Sequence, residues 1–248
     1  MTQTVEAPRA LRVEVSPRWV RGYVKGQPIV DSKRVHVVYG ERRLPLYYFP
    51  RADVRMDLLH ESRTDNGVQC WTLRLGEHTV EDIAWSHAAD GAEFEPVRDL
   101  IALEWRKVES WYEEDDEVFV HPRDPYHRVD VLNSSRHVKV VIDGQVVAET
   151  SRPRLLFETG IVTRYYIPKV DVRLDLLEPS NTTTHCPYKG TAQYYTVKLG
   201  DKLYEDVIWY YPFPIPECPK IANLLAFYNE KVDLFVDGEL QARPTPRR

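Results

Sequence analysis

A chain that repeats itself at a fixed distance is committed to two copies of one domain, and most of these 248 residues follow that rule. Tyr47-Tyr48-Phe49-Pro50 and then Asp53-Val54-Arg55-Met56-Asp57-Leu58-Leu59 return as Tyr165-Tyr166-Ile167-Pro168 and Asp171-Val172-Arg173-Leu174-Asp175-Leu176-Leu177, an offset of 118. The same offset carries Arg18 onto Arg136 and Gly26-Gln27 onto Gly144-Gln145. Downstream, Gly76, Trp85 and Val108 return as Gly200, Trp209 and Val232 at an offset of 124. One length change of six residues therefore falls between Leu59 and Gly76. A unit this long exceeds any solenoid repeat and reads as a small domain. The expected units are 12–117 and 136–241, with an ordered joint over 118–135.

Composition narrows the function classes. A formal charge of −5 supplies no general attraction to nucleic acid or anionic lipid. No apolar run approaches the roughly 20 residues of a membrane helix, and the first residues lack a leader's basic start and apolar stretch. The expectation is a cytoplasmic protein without nucleic-acid or membrane partners. Cys70, Cys186 and Cys218 are an odd set at non-equivalent repeat positions and form no CxxC pair, so neither a disulfide framework nor structural zinc is expected.

Alternation of Val138, Val140 and Ile142, then Asp143-Gly144, then Val146 and Ala148 signals a hairpin with a type I′ turn. The first unit repeats it around Lys25-Gly26. A second hairpin is expected across Gly200-Asp201, matched at Gly76-Glu77. Ile221, Leu224, Leu225, Val232 and Phe235 recur at helical spacing, as do Val97, Leu100, Ile101, Val108 and Trp111. With Pro219 and Pro96 near their starts, these stripes predict one amphipathic helix per unit. The acidic run 113–117 then reads as a solvated helix exit. The fold class is mainly β (a β-rich α+β): two tandem, mostly antiparallel sheet domains, each with one helix, forming an internal pseudo-dimer that needs no second chain.

The Tyr-Tyr-Phe/Ile-Pro…Asp-Val-Arg-x-Asp-Leu-Leu signature recurs in both units. With Thr184-His185-Cys186-Pro187-Tyr188-Lys189-Gly190, Trp209, Ala226-Phe227-Tyr228 and Lys231-Val232-Asp233, it resembles domain-of-unknown-function family 427. The resemblance covers both units and implies soluble proteins of bacterial type with a compact, tent-like β fold. It brings no established activity. A nucleotidyltransferase label attached to the family fits these residues poorly. Asp171 and Asp175 are separated by Arg173, and no glycine-rich phosphate loop precedes a helix.

The duplication is also a control: what both units keep serves the shared fold, and what one unit keeps has escaped that requirement. Arg55/Asp57 and Arg173/Asp175 occur in both and read first as structural pairs, with Arg173 and Asp175 also candidate ligand contacts. Trp85 and Trp209 read as core aromatics. The loop 185–190 occurs once. Cys186 there is a candidate nucleophile if His185 or Lys189 stabilises its thiolate; otherwise it is a small buried hydrophobe. Lys189 is a candidate catalytic cation or anion contact, and Tyr165, His185 and Tyr188 are candidate walls of the same site.

The joint motif also occurs once. Its His121, Arg123, Asp124, His127 and Arg128 form either a salt-bridged clasp or ligand contacts, with His127 a candidate acid–base group. The second alternative places the site between the units, with the joint folded over the loop 185–190. No metal is expected, because His185 and Cys186 with His121 or His127 lack ligand spacing. The functional expectation is binding of a small anionic metabolite or nucleotide-like ligand, with enzymatic turnover left open, at one main site in the second unit near the joint, without a cofactor. The alternative is a non-catalytic protein-interaction module.

Overall fold

The computed structural model describes residues 11–40, 44–87 and 92–245. The residues 1–6 read for a leader, and the terminal Arg247 and Arg248, lie outside this set. Two compact units divide between Asp124 and Pro125. The expected joint is thus shared: His121, Arg123 and Asp124 belong to the first unit, His127 and Arg128 to the second.

The first unit runs through β1 (Arg12–Ser16), β2 (Val20–Val24), β3 (Gln27–Ser32), β4 (Val35–Tyr39), β5 (Leu46–Pro50), β6 (Leu59–Asp65), β7 (Val68–Leu75), β8 (His78–His87), β9 (Leu100–Leu103), β10 (Ser110–Glu113) and β11 (Asp116–Val118). The second runs through β12 (Val129–Asn133), β13 (Val138–Ile142), β14 (Gln145–Thr150), β15 (Arg154–Glu158), β16 (Arg164–Ile167), β17 (Leu177–Cys186), β18 (Gly190–Leu199), β19 (Lys202–Tyr210), β20 (Leu225–Phe227), β21 (Asp233–Val236) and β22 (Glu239–Leu240). Each strand of the first unit returns eleven strands later. The seven-stranded order β1-β4-β5-β9-β8-β7-β6 recurs as β12-β15-β16-β20-β19-β18-β17, and the four-stranded β11-β10-β2-β3 as β22-β21-β13-β14. The strand pairings in all four sheets are antiparallel.

Alternation explains the double-tyrosine motif. Successive side chains of a strand point to opposite faces. Tyr47 and Phe49 enter the core shared with the four-stranded sheet, while Leu46 and Tyr48 enter a second core on the far face. In the second unit, Tyr165 and Ile167 face the first kind of core, and Tyr166 faces the second beside Leu156, Trp209 and Ile221. Both faces of the large sheet are covered. The hairpin expectation holds: Asp143 and Gly144 take φ of 48° and 77°, the left-handed pair that a type I′ turn requires.

The amphipathic helix does not form. Among the described residues, helical structure is confined to 3-10 turns of three to six residues. The stripe left out Ala226 and Phe227, which a one-sided helix would expose; both are buried, as are Ala102 and Leu103. These residues sit in β20 and β9, central strands apolar on both faces, for which a continuous run is the proper pattern. Several stripe residues do turn inward, but from separate elements, Ile221 into one core and Leu225 and Val232 into the other, while Phe235 alternates away from buried Leu234 and Val236. Asn223, at φ 58°, breaks the would-be helix and donates its backbone N–H to Tyr211 O. The acidic run is likewise no helix exit. It is the β10–β11 hairpin, with Glu113 buried and held by Arg18 (2.7 Å) and the Tyr47 hydroxyl.

A carboxylate clamp is duplicated with the fold. Asp53 accepts from Ser32 Oγ (2.7 Å) and Arg34, and Asp171 from Thr150 Oγ1 (2.7 Å) and Arg152 (3.0 Å). The Arg152 hydrogen bond, helped by Thr150, holds Asp171 below the usual aspartate range, and Arg34 does the same for Asp53. A carboxylate depressed in the folded state stabilises it above the unfolded value, near ~3.9, and loses that contribution as pH falls through the folded value. Asp171→Asn is therefore expected to lower stability by about 1 kcal/mol at neutral pH. It should also flatten the decline below about pH 4, as measured by urea midpoints across pH; an unchanged acid limb would refute the clamp's role.

Candidate functional site

The loop that occurs once is the turn of the β17–β18 hairpin. Cys186 pairs with Gly190, leaving Pro187, Tyr188 and Lys189 at the tip. Gly190 takes φ +102° because an adjoining loop crosses it closely: a Cβ there would meet Phe213 O at 3.3 Å and Ile215 N at 3.4 Å. That loop is tied down by Ile215 N–H to Lys189 O (3.1 Å) and by Cys218 Sγ to Tyr188 O (3.3 Å). On the other side, β12 pairs with β15 so that Val129 stands opposite Glu158, and Thr159 N–H bonds Arg128 O (3.0 Å). Sheet register thus brings His127, Glu158 and Lys189 into one corner of the second unit.

Glu158 joins them. Lys189 Nζ donates to Glu158 Oε2 at 2.5 Å, and His127 Nε2 lies 2.9 Å from Oε1. An ionised carboxylate only accepts, so His127 carries its proton on Nε2 toward Glu158. The imidazole stacks on Tyr188 with centroids 4.0 Å apart and planes at 18°. The side chains of Glu158 and Lys189 are only 4% and 10% exposed, against 18% for His127, which forms the more open rim. Taking two charges out of water costs several kcal/mol each before their attraction offsets it, so this pair is weak evidence for stability as such.

Beside the corner lies a layer of hydroxyls and thiols, of which Tyr166, Tyr194, Tyr211 and Cys218 are buried. Trp209 Nε1 donates to Tyr166 Oη (3.1 Å), and Thr184 Oγ1 lies 2.8 Å from Tyr194 Oη. Burial raises the Tyr166 and Tyr211 hydroxyls well above the usual tyrosine range. Burial also pushes the Cys218 thiol up to about 11, although Lys189 opposes this. Cys186 is half-buried and close enough for a charge on its sulfur to act on Tyr166, Tyr211 and Cys218.

The structure gathers Lys189, His127 and Tyr188 as one group, with Cys186 adjoining. The other candidates of the second unit have partners of their own outside this group. Tyr165 packs toward the core between the sheets, by the alternation that turns Tyr166 the other way. Arg173 and Asp175 form a two-pronged pair (2.8 and 2.6 Å), as do Arg55 and Asp57, but both pairs are exposed rather than enclosed. His185 is exposed, with Nδ1 3.0 Å from Thr191 Oγ1. Arg128 pairs with Asp130 at 2.8 Å. In the first unit, His121 Nδ1 lies 2.7 Å from Pro122 O and Asp124 accepts from Tyr39 Oη at 3.5 Å, while Arg123 is half-buried.

Residues 12–114 and 130–238 each match the family described as Domain of unknown function (DUF427). The chain belongs to that family. No curated protein matches it. Within this tandem DUF427 chain, the carboxylates that a nucleotidyltransferase label would draw on are each engaged by arginine, Asp171 by Arg152 and Asp175 by Arg173.

Glu158 and Cys218 escaped the sequence reading. The repeat control could have found Glu158, since the position 118 residues earlier is Gly40. Tyr194 and Tyr211 likewise replace Cys70 and His87 of the first DUF427 unit. There the corresponding turn is Asn66-Gly67, and His87 Nε2 lies 3.1 Å from Tyr48 Oη. Glu158→Gln leaves the Lys189 ammonium enclosed without its counter-charge. It is expected to cost about 3–5 kcal/mol in urea unfolding, whereas Glu158→Leu combined with Lys189→Met should cost less. A single-variant loss under about 1 kcal/mol would show the pair to be effectively solvated.

Proposed function

We propose that the chain is a small-molecule-binding protein whose main site is the Lys189–Glu158–His127 corner of the second unit. One observation carries this reading. An ammonium has three N–H donors, and the nearly enclosed Lys189 places one of them on Glu158, with no other acceptor among the described residues. Donors left over in an enclosed place invite a ligand oxygen, and a carboxylate or phosphate oxygen makes the strongest bond. Tyr188 and His127 add a stacked aromatic pair beside the Lys189–Glu158 pair. That the first unit keeps the scaffold without this corner supports a role beyond folding. An enzymatic form of this reading uses Glu158–His127 for proton transfer and Cys186 as nucleophile.

The second reading, an interaction module, draws on Phe213. It is 89% exposed on the loop that crosses Gly190, and a lone apolar side chain held out from an ordered loop is a natural anchor for a protein partner.

Titrating the full chain with inorganic phosphate and short carboxylates, followed by backbone NMR, separates the two. Saturable shifts at Tyr188, Lys189 and His127, weakened roughly tenfold or more by Lys189→Met, are expected for the ligand site. Shifts confined to the first unit, or indifference to Lys189→Met in a variant that stays folded, would reject it. A partner lost on Phe213→Ser but retained by Lys189→Met would favour the module.

A further inference from the structure

A groove of about 630 Å³ opens in the first unit, and none of the residues proposed above lines it. It lies where the approach to β5, the 3-10 turn Trp105–Lys107 and the segment after β11 meet, and its walls include Leu44, Leu46, Trp105, Val120 and Pro122. The volume lies in the range of sites that enclose small organic molecules, and such sites are mostly apolar with a few placed polar groups.

Two independent features mark it. Val120 takes φ +73°, with His121 N–H bonding Phe119 O at 2.9 Å across it. A β-branched residue strongly disfavours this left-handed turn, and such outliers gather at functional sites. The fold nonetheless holds Val120 there, half-exposed in the groove wall.

The second feature comes from the repeat. At the equivalent place in the second unit, Arg164 makes two bonds to Glu230, both 2.7 Å, and Asn229 Nδ2 donates to Thr163 O at 3.0 Å. Arg164 also lies over the Trp209 ring at 5.4 Å. The first unit has Leu46 for Arg164, Trp105 for Asn229 and Arg106 for Glu230. The exchange removes the closing ion pair, substitutes an indole for the amide and reverses the charge at the rim. Lys107 is committed to the backbone oxygens of Glu81 (2.7 Å) and Asp82 (3.1 Å), and Glu104 has a partner of its own. Arg106 is exposed, and no hydrogen bond or ion pair joins it to another described residue.

We propose that this groove is a second ligand site, for a small molecule with an apolar ring or branched chain and a single carboxylate. The apolar part lies against Trp105, Leu46 and Val120. Arg106, whose guanidinium fork matches a carboxylate, holds the charged end.

The test uses 3-phenylpropanoate and its uncharged amide against the full chain, reading the indole N–H signals, with Trp105 assigned through Trp105→Phe. The acid is expected to shift the Trp105 signal saturably and to bind roughly tenfold more tightly than the amide, the value of one bond to a charged group. Arg106→Glu, which restores the second unit's residue at an exposed position, should abolish that preference while leaving amide binding unchanged. Lys189→Met should leave the Trp105 titrations with both ligands unchanged, so failure here and failure of the Lys189 site are separately visible. No Trp105 shift at millimolar acid, equal affinity for acid and amide, or an acid preference that survives Arg106→Glu would each overturn the proposal.

Discussion

A sheet whose central strands are apolar on both faces has to be covered twice, and much of each unit follows from meeting that demand. Tyr47 and Tyr48 cannot both be buried, nor Tyr165 pack inward while Tyr166 is buried, unless something lies above and below the strand that carries them. The four-stranded sheet supplies one cover. The other is made of irregular chain: Val97 and Phe94 in the first unit, and Cys218, Ile221 and Leu224 in the second. Irregular cover is where the two copies are free to differ, because a loop carries fewer register constraints than a ladder. The six-residue length difference lengthens the β17–β18 hairpin, and its tip carries Lys189 onto Glu158 at the end of β15, beside that cover.

What could be read from the residues divides along the same line. The duplication, the Asp143-Gly144 turn and the strand character around it rest on local rules of period and turn geometry, and these held. The helix failed because Leu225-Ala226-Phe227 satisfies two patterns: part of a helical stripe, and a short strand buried on both faces. Only the neighbours β16 and β19 decide between them, and they lie far away in sequence. The acidic run failed with it, since a helix exit and a hairpin turn have similar composition. At the corner, Lys189 and His127 stood out as unusual residues in unrepeated segments. Glu158 did not, because a glutamate at the end of an apolar strand resembles any solvated strand end until register sets it between Lys189 and His127.

The copies also show how duplication frees a chain. Both retain the aspartate clamps Asp53 and Asp171 and the pairs Arg55/Asp57 and Arg173/Asp175, which repeat with almost the same geometry. Elsewhere one copy closes what the other leaves open. The second unit locks Arg164 to Glu230 where the first has Leu46 and Arg106, and the first has a bare Asn66-Gly67 turn where the second encloses a lysine. Residues at such places changed in kind rather than in size, a difference that packing alone does not require.

Glu158 binds together positions 127, 158 and 189, contributed by the approach to β12, the end of β15 and the β17–β18 turn. No local segment can make those contacts by itself. Closing two long loops before any bond is gained places such a junction late in assembly, after the hairpins that organise the sheet. Bonds absent from the transition state slow escape from the native state without hastening arrival. Glu158 would then act as a brake on unfolding: its loss should shorten the lifetime of the folded second unit and leave the refolding rate unchanged, and a slowed refolding limb in Glu158→Gln would show that the junction forms early instead.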